Sequence, residues 1–274
     1  MNLYINMPKI KLYQVIKTFI NKLIILFSMD VAILYSGGKD STYAIESAML
    51  KGWNIKYLIS IKPTRKDCFL FHFATVEQTK DLAKILQIPH FYENCRVSDP
   101  SKEASIVKSI VEKNQKKLKV DAVVLGGIGL QETQLKSIQN ALMPLGVDAF
   151  AMHAGEEHDL VMEEMLNKGY EIMITQIASD GLKDWLGKKI TKENFAQLRR
   201  DSVRYGFHIG FEGGYADTLV TDCPLFTKKL VVEDMSVIYE DDYCGHVVID
   251  KYRMEDKAKT ELLEHRKIFG SFLR

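Results

Sequence analysis

The chain has 274 residues, enough to bury a sizeable core and suited to two small domains. Its 37 basic and 36 acidic residues nearly cancel, which excludes the global charge excess expected of a nucleic-acid or membrane-surface binder. Cys68, Cys95, Cys223 and Cys244 form no C-x-x-C pair, so neither a structural zinc site nor a redox dithiol is signalled, and a reducing, cytoplasmic setting is expected.

Residues 1–28, "MNLYINMPKIKLYQVIKTFINKLIILFS", carry four lysines and end near an apolar run, "LIILF", too short to span a bilayer. They read as an N-terminal extension with Met29 as the true start, or as an amphipathic helix lying on the body. From Met29 strand-like and helix-like segments alternate, the rhythm of a parallel sheet wrapped by helices, so the fold class is α/β. "VAILY" is a strand; "TYAIESAMLKG" is a helix stopped at Gly52. "IKYLISI", "HFYEN" and "VDAVVLGGI" supply three more strands. Between them lie helices over "ATVEQTKDLAKILQ" and "SKEASIVKSIVEKNQKKLK", the second offered Asp99 or Ser101 as its cap.

Beyond Leu145 the rhythm changes to a smaller α+β region, with helices over "EHDLVMEEMLNKG" and "TKENFAQLRRDSVRYG" and strands over "YEIMITQIA", "DTLVTDCPLF" and "KKLVVEDMSVIYEDDYCGHVVIDKY". The expected division is an extension (1–28), a nucleotide-binding domain (29–145), an α+β acceptor-binding domain (146–250) and a charged C-terminal helix or tail (251–274).

The turn "YSGGKDST" stands where the first strand hands over to the first helix. Helix N-termini favour anions through their N–H groups and dipole. Gly37 and Gly38 allow close approach, Ser36 and Ser41 offer hydroxyls, and Lys39 offers a point charge. Asp40 makes sense beside a phosphate if Mg²⁺ bridges the two. The spacing is not that of the mononucleotide P-loop. Instead the S-G-G-x-D-S turn resembles the pyrophosphate (PP) loop of the ATP pyrophosphatases, which split ATP between its α and β phosphates. Topology then places adenine near Ser60 and Ile61 after the second strand and Gly126, Gly127 and Ile128 after the fourth. The two glycines are equally readable as a tight turn with no ligand.

Further blocks resemble, in order and spacing, the diphthine–ammonia ligase (diphthamide synthetase) family of ATP pyrophosphatases. They are "FLFHFATVEQTKDLAKILQIP", with Phe71 and His72 retained, "LGGI", "GLKDWLGK", "YGFHIGFEGGYADT" and "LVTDCPLF". The resemblance runs from Met29 to about Leu230. It implies an adenine nucleotide alpha hydrolase-like domain plus a smaller α+β domain. It also implies an ATP-dependent amide ligase that adenylates the carboxylate of diphthine on translation elongation factor 2 and lets ammonia displace AMP. Under it Lys39, Asp40, Glu212 and Asp217 are catalytic, with the two later carboxylates capturing ammonium, and His72, Gln134, Gly213, Gly214 and Tyr215 are acceptor-binding. ATP, Mg²⁺ and free ammonium are required, no nucleic acid or membrane partner is expected, and a homodimer is left open.

This chain departs from the family on the acceptor side. The E-G-G-E-x-E pattern becomes "EGGYAD", with Tyr215 and Asp217; Leu135 and Ser137 stand where a Y-Q-R-x-R segment has arginines; and P-L-W becomes "DAFAM". The alternative is therefore a paralogue adenylating a small-molecule or cofactor carboxylate, and a non-catalytic ATP-binding module is the reading from another class. A tRNA-modifying role is disfavoured by the lack of basic excess and of paired cysteines.

Other residues favour bland readings. "HAGEEHD" (His153, Glu156, Glu157, His158) is expected to be a solvated acidic helix start, since its histidines cannot share a helix face. "RRDSVR" is an exposed helix end, Trp185 a core anchor, Asp222 a turn acceptor, and Cys68 and Cys223 small hydrophobes.

Overall fold

The computed structural model describes residues 28–65, 68, 70–71, 74–127 and 132–258. The N-terminal extension up to residue 27, His72, Ile128 and the tail from 259 therefore lie outside the described residues. The first half is a five-stranded parallel sheet in the order β3-β2-β1-β4-β5, built from β1 (Asp30–Leu34), β2 (Asn54–Pro63), β3 (His90–Cys95), β4 (Ala122–Leu125) and β5 (Asp148–Ala151). The crossovers carry α1 (Lys39–Leu50), α2 (Thr79–Leu86), α3 (Pro100–Asn114) and α4 (Glu132–Leu142). Asp99 caps α3 by accepting from the Lys102 N–H at 2.9 Å.

Strand alternation divides the core. Ala32, Tyr57, Ile59, Ile61, Val123 and Leu125 face α3 and α4, whereas Val31, Ile33, Leu58 and Val124 face α1 and α2. The second half follows with α5 (His158–Asn167), β6 (Glu171–Ala178), β7 (Lys189–Ile190), α6 (Lys192–Tyr205), β8 (Ala216–Asp222), β9 (Lys228–Tyr239) and β10 (Cys244–Asp256). Its sheet runs β7-β6-β10-β9, with β8 pairing antiparallel to β6.

Two boundaries differ from the sequence expectation. The parallel sheet continues past Leu145 through β5, because the short run Asp148–Ala151 pairs with all of β4. Residues 251–256, expected as helix or tail, complete β10 in a long ribbon with β9. A two-stranded ribbon buries little of either face, so its sequence alternates weakly.

The two sheets share one apolar cluster that runs from β1, β4 and α1 to Ile172, Ile174, Leu219, Val220 and Phe226. A buried polar knot joins them as well: the Tyr170 hydroxyl donates to Glu46 at 2.6 Å, and Lys168 Nζ lies 2.9 Å from the same carboxylate. Trp185 is buried and donates from its indole to Asp201 at 3.0 Å, as befits an anchor. Asp222 is gripped by Lys229 and Lys257, tying the end of β8 to the start of β9 and the end of β10. Arg199 spends its charge on Glu163 and Asp159. No helix among the described residues is long and apolar enough to cross a membrane.

Candidate active site

Strand order reverses between β1 and β4, and open α/β sheets form their ligand crevice at such a switch point. An open cleft lies there. Its floor is the turn after β1. Gly37 takes φ +80°, Gly38 is the extended N-cap of α1 without a side-chain cap, and Ser36 and Ser41 hydroxyls sit 3.2 Å apart. β8 is laid across this turn: Val220 N–H donates to Gly37 at 2.9 Å, and Lys39 N–H to the Thr218 hydroxyl at 3.1 Å. The second half of the chain thus holds this turn in shape, and the N-terminus of α1, where the Thr218 hydroxyl takes the Lys39 N–H, borders the cleft.

Lys39 is only 1 % exposed and pairs through Nζ with Asp40 Oδ2 at 2.6 Å. Burial alone would raise the Asp40 carboxyl, but the Lys39 ammonium, helped by His158, holds it below the ordinary aspartate value. It is ionised throughout the neutral range. One carboxylate beside a phosphate-binding turn suits Mg²⁺, which is commonly held by a carboxylate together with substrate phosphate oxygens. Among the described residues no group of three or more His, Cys, Asp or Glu is arranged to cage a metal, so Asp40 fits an ion that arrives with the nucleotide.

The apolar wall comprises Leu34, Ile59, Ile61, Leu70, Phe71 and Leu125. Ser60, expected at this wall, is not there. Its hydroxyl donates to the Tyr35 carbonyl and contacts His90 at 2.8 Å, on the opposite face of β2 from its neighbours Ile59 and Ile61. Gln134, expected to meet the acceptor, lines the cleft while donating to the Leu70 carbonyl, and the Leu70 N–H donates to the fully buried Glu103 at 2.7 Å. These two side chains clip the wall in place. Glu103→Ala is expected to cost about 1–3 kcal/mol of stability and to weaken ATP binding several-fold, since it orphans a buried N–H and frees Phe71; thermal denaturation and nucleotide titration check it.

The glycines after β4 resolve into distinct duties. A Cβ on Gly126 would stand 2.5 Å from the backbone of Asp40 and Ser41, and one on Gly127, at φ +81°, 2.3 Å from Glu212 Oε1. Both also line the cleft. Gly126 lets the two strand-end turns meet, and Gly127 admits Glu212.

Glu212 is 6 % exposed, and Asp217 is half-buried on the same cleft. Phe211 delivers Glu212 from a left-handed backbone, φ 62°, a conformation that costs a bulky residue about 1–3 kcal/mol. Gly213 and Gly214 follow at φ +93° and +86°, turning the chain into the half-buried Tyr215 and β8. None of these three lines the cleft; they shape the turn beside it.

The residues the sequence undervalued are the histidines. His158, expected in a solvated helix start, is 4 % exposed, with Nε2 at 3.5 Å from Glu212 Oε1 and 3.8 Å from Asp40 Oδ1. Burial, reinforced by the Lys39 charge and opposed by Asp40, lowers its pKa to about 4. Its ring lies against Gly210 and 5.1 Å from that of His208. His153 is buried too, stacked on Tyr43 and paired with Glu156 at 3.0 Å. His208 falls inside the block "YGFHIGFEGGYADT", the one signal that could have flagged it.

Comparison with known proteins supplies a family. Residues 29–149 match the model of the diphthamide synthase N-terminal domain, and residues 157–254 that of the diphthamide synthase C-terminal domain. A diphthine–ammonia ligase of Danio rerio is 25% identical over 257 residues, covering 86% of this chain and 100% of the relative. The Homo sapiens protein of that name is 25% identical over 233 residues, covering 77% of this chain and 85% of the relative. That of Schizosaccharomyces pombe is 25% identical over 270 residues, covering 88% of this chain and 43% of the relative.

Proposed function

The chain belongs to the diphthamide synthase family, and from that premise we propose that it is an AMP-forming amide ligase converting diphthine on elongation factor 2 to diphthamide. One observation carries the reading. The pyrophosphate turn of the first half and the carboxylates Glu212 and Asp217 of the second half line a single cleft.

The order of events follows from the chemistry. The acceptor carboxylate attacks the α-phosphorus of ATP and pyrophosphate leaves; ammonium yields a proton to a carboxylate, ammonia attacks the acyl carbon, and AMP departs. Ser36, Ser41 and the start of α1 hold the β and γ phosphates, with Lys39 exchanging Asp40 for a phosphate oxygen. Asp40 would then hold Mg²⁺, which neutralises charge on the departing pyrophosphate. The wall of Leu34, Ile59, Ile61 and Phe71 takes the purine and keeps the acyl-adenylate from water. Glu212 and Asp217 draw in ammonium and accept its proton.

Pyrophosphate release in a cytoplasmic-type buffer with ATP, Mg²⁺ and ammonium tests the reading. Release is expected only when elongation factor 2 carrying diphthine is added. A second reading, a small-molecule carboxylate as acceptor, is favoured by Tyr215, Leu135 and Ser137 standing where the family pattern has a carboxylate and two arginines. Release that ignores the factor and responds to free carboxylic acids would favour it. ATP binding without any release would favour a non-catalytic module.

A further inference from the structure

Three imidazole nitrogens behind the cleft wall stand out of water without a hydrogen-bond partner: His158 Nδ1, His158 Nε2 and His208 Nδ1. A buried polar atom left unpaired costs about 1–3 kcal/mol, and such atoms persist where a ligand completes them. His158 comes from the first residue of α5 and His208 from the loop after α6, and their rings are 5.1 Å apart. The position is built. Gly210 leaves room for the His158 ring, because a Cβ there would lie 1.9 Å from Nδ1. Nε2 is thereby aimed between Glu212 Oε1 at 3.5 Å and Asp40 Oδ1 at 3.8 Å, both too long for a direct hydrogen bond. Lys39 occupies the other Asp40 oxygen, Oδ2.

We propose that His158 Nε2, Glu212 Oε1 and Asp40 Oδ1 form the seat of the ammonium cosubstrate, with His158 a binding residue for it. The inference rests on the amide-ligase reading above and deepens it. Ammonium is small, singly charged and carries four N–H donors. The seat offers acceptors of the matching kind, two carboxylate oxygens and a ring nitrogen, in a space that the glycine at 210 keeps tight. Both carboxylates belong to the cleft lining, so the ion stands against the reacting carbonyl while the imidazole backs it from the protein side. Asp217, half-buried on β8, then serves the ion's approach rather than its seat.

His158→Phe keeps the ring and removes both nitrogens, and His158→Gln restores one polar end near the Nε2 position. Two half-reactions separate the outcomes. Acceptor-dependent exchange of labelled pyrophosphate into ATP reports adenylation without ammonium, and amide formation over an ammonium series gives KM for that ion. Expected for His158→Phe are a KM for ammonium raised about tenfold or more and an exchange rate lowered by no more than the few-fold that a neighbour of Asp40 accounts for, with His158→Gln recovering part of the KM; an unchanged far-UV circular dichroism spectrum certifies the fold. An NMR titration with ¹⁵N-ammonium should show the same loss of binding without turnover. An unchanged ammonium KM in His158→Phe overturns the seat and leaves the ligase reading standing. So does a stoichiometric transition metal in the purified wild-type protein that His158→Phe releases, because the imidazole would then be a metal ligand. No exchange in the wild-type protein with any acceptor overturns the ligase reading and the seat together.

Discussion

Asp40→Asn is expected to lower ATP cleavage at least about 100-fold, a loss of the size seen when a single group facing developing charge is removed. The expectation follows from how the carboxylate is held. Lys39 bonds to Oδ2 and keeps the group ionised, and Oδ2 is the oxygen left for a divalent cation once Lys39 turns to a phosphate, while Oδ1 faces His158. Asparagine keeps the shape and can still accept from Lys39, but it brings no charge to share with a divalent cation. Because Lys39 is buried, it also loses its counter-charge, and a fall of a few degrees in melting temperature is expected alongside. Nucleotide binding measured without Mg²⁺ should change little, and the stimulation of binding by Mg²⁺ should disappear. Cleavage that persists in Asp40→Asn would remove the role given to this carboxylate.

Gly126→Ala is expected to be the most damaging single-methyl change in the cleft. The added carbon would stand 2.5 Å from Asp40 C and Ser41 N and 2.8 Å from the Asp40 carbonyl, all of them backbone atoms in the first turn of α1. Backbone in a helix cannot swing aside as a side chain can, so the turn after β4 must back away from the turn after β1. Overpacking of this kind costs about 1–3 kcal/mol. The larger effect is expected on function, since the displaced turn is the one proposed to hold the phosphates. A drop in ATP affinity exceeding the drop in stability is the expected pattern, measured by nucleotide titration beside denaturant melts. Gly127→Ala should be milder, because the atom it meets is the end of the Glu212 side chain, although its φ of +81° still disfavours alanine.

The turn between β1 and α1 was legible because its residues are consecutive and sit at a strand-to-helix junction whose period changes on either side. Although the four-residue β5 (Asp148–Ala151) was too short to stand out, most of the parallel sheet was legible for the same reason, since β1 and β4 are apolar runs between helices. That same property hid the side of β2 on which each residue lies. A parallel strand buried on both faces does not alternate, so Ser60 and Ile61 could not be told apart, and the structure places Ile61 on the cleft and Ser60 behind it. His158 was hidden differently. Its neighbours Glu156, Glu157 and Asp159 make the segment look solvated, and only the packing of α5 against Gly210 buries the ring beside Glu212. Gln134 illustrates a third limit. The family resemblance assigned it to the acceptor, and the structure places it on the cleft with its amide donating to the Leu70 carbonyl. Contacts between distant segments decide such roles, and local pattern carries no trace of them.

The central claim is that this chain amidates diphthine on elongation factor 2. Its most direct test is mass spectrometry of elongation factor 2 from a strain whose own diphthine–ammonia ligase is deleted and which expresses this chain instead. The modified histidine is expected to carry diphthamide with the wild-type chain and diphthine with Asp40→Asn. Diphthine in both, from a chain that is folded and cleaves ATP, would contradict the claim and move the acceptor to another carboxylate.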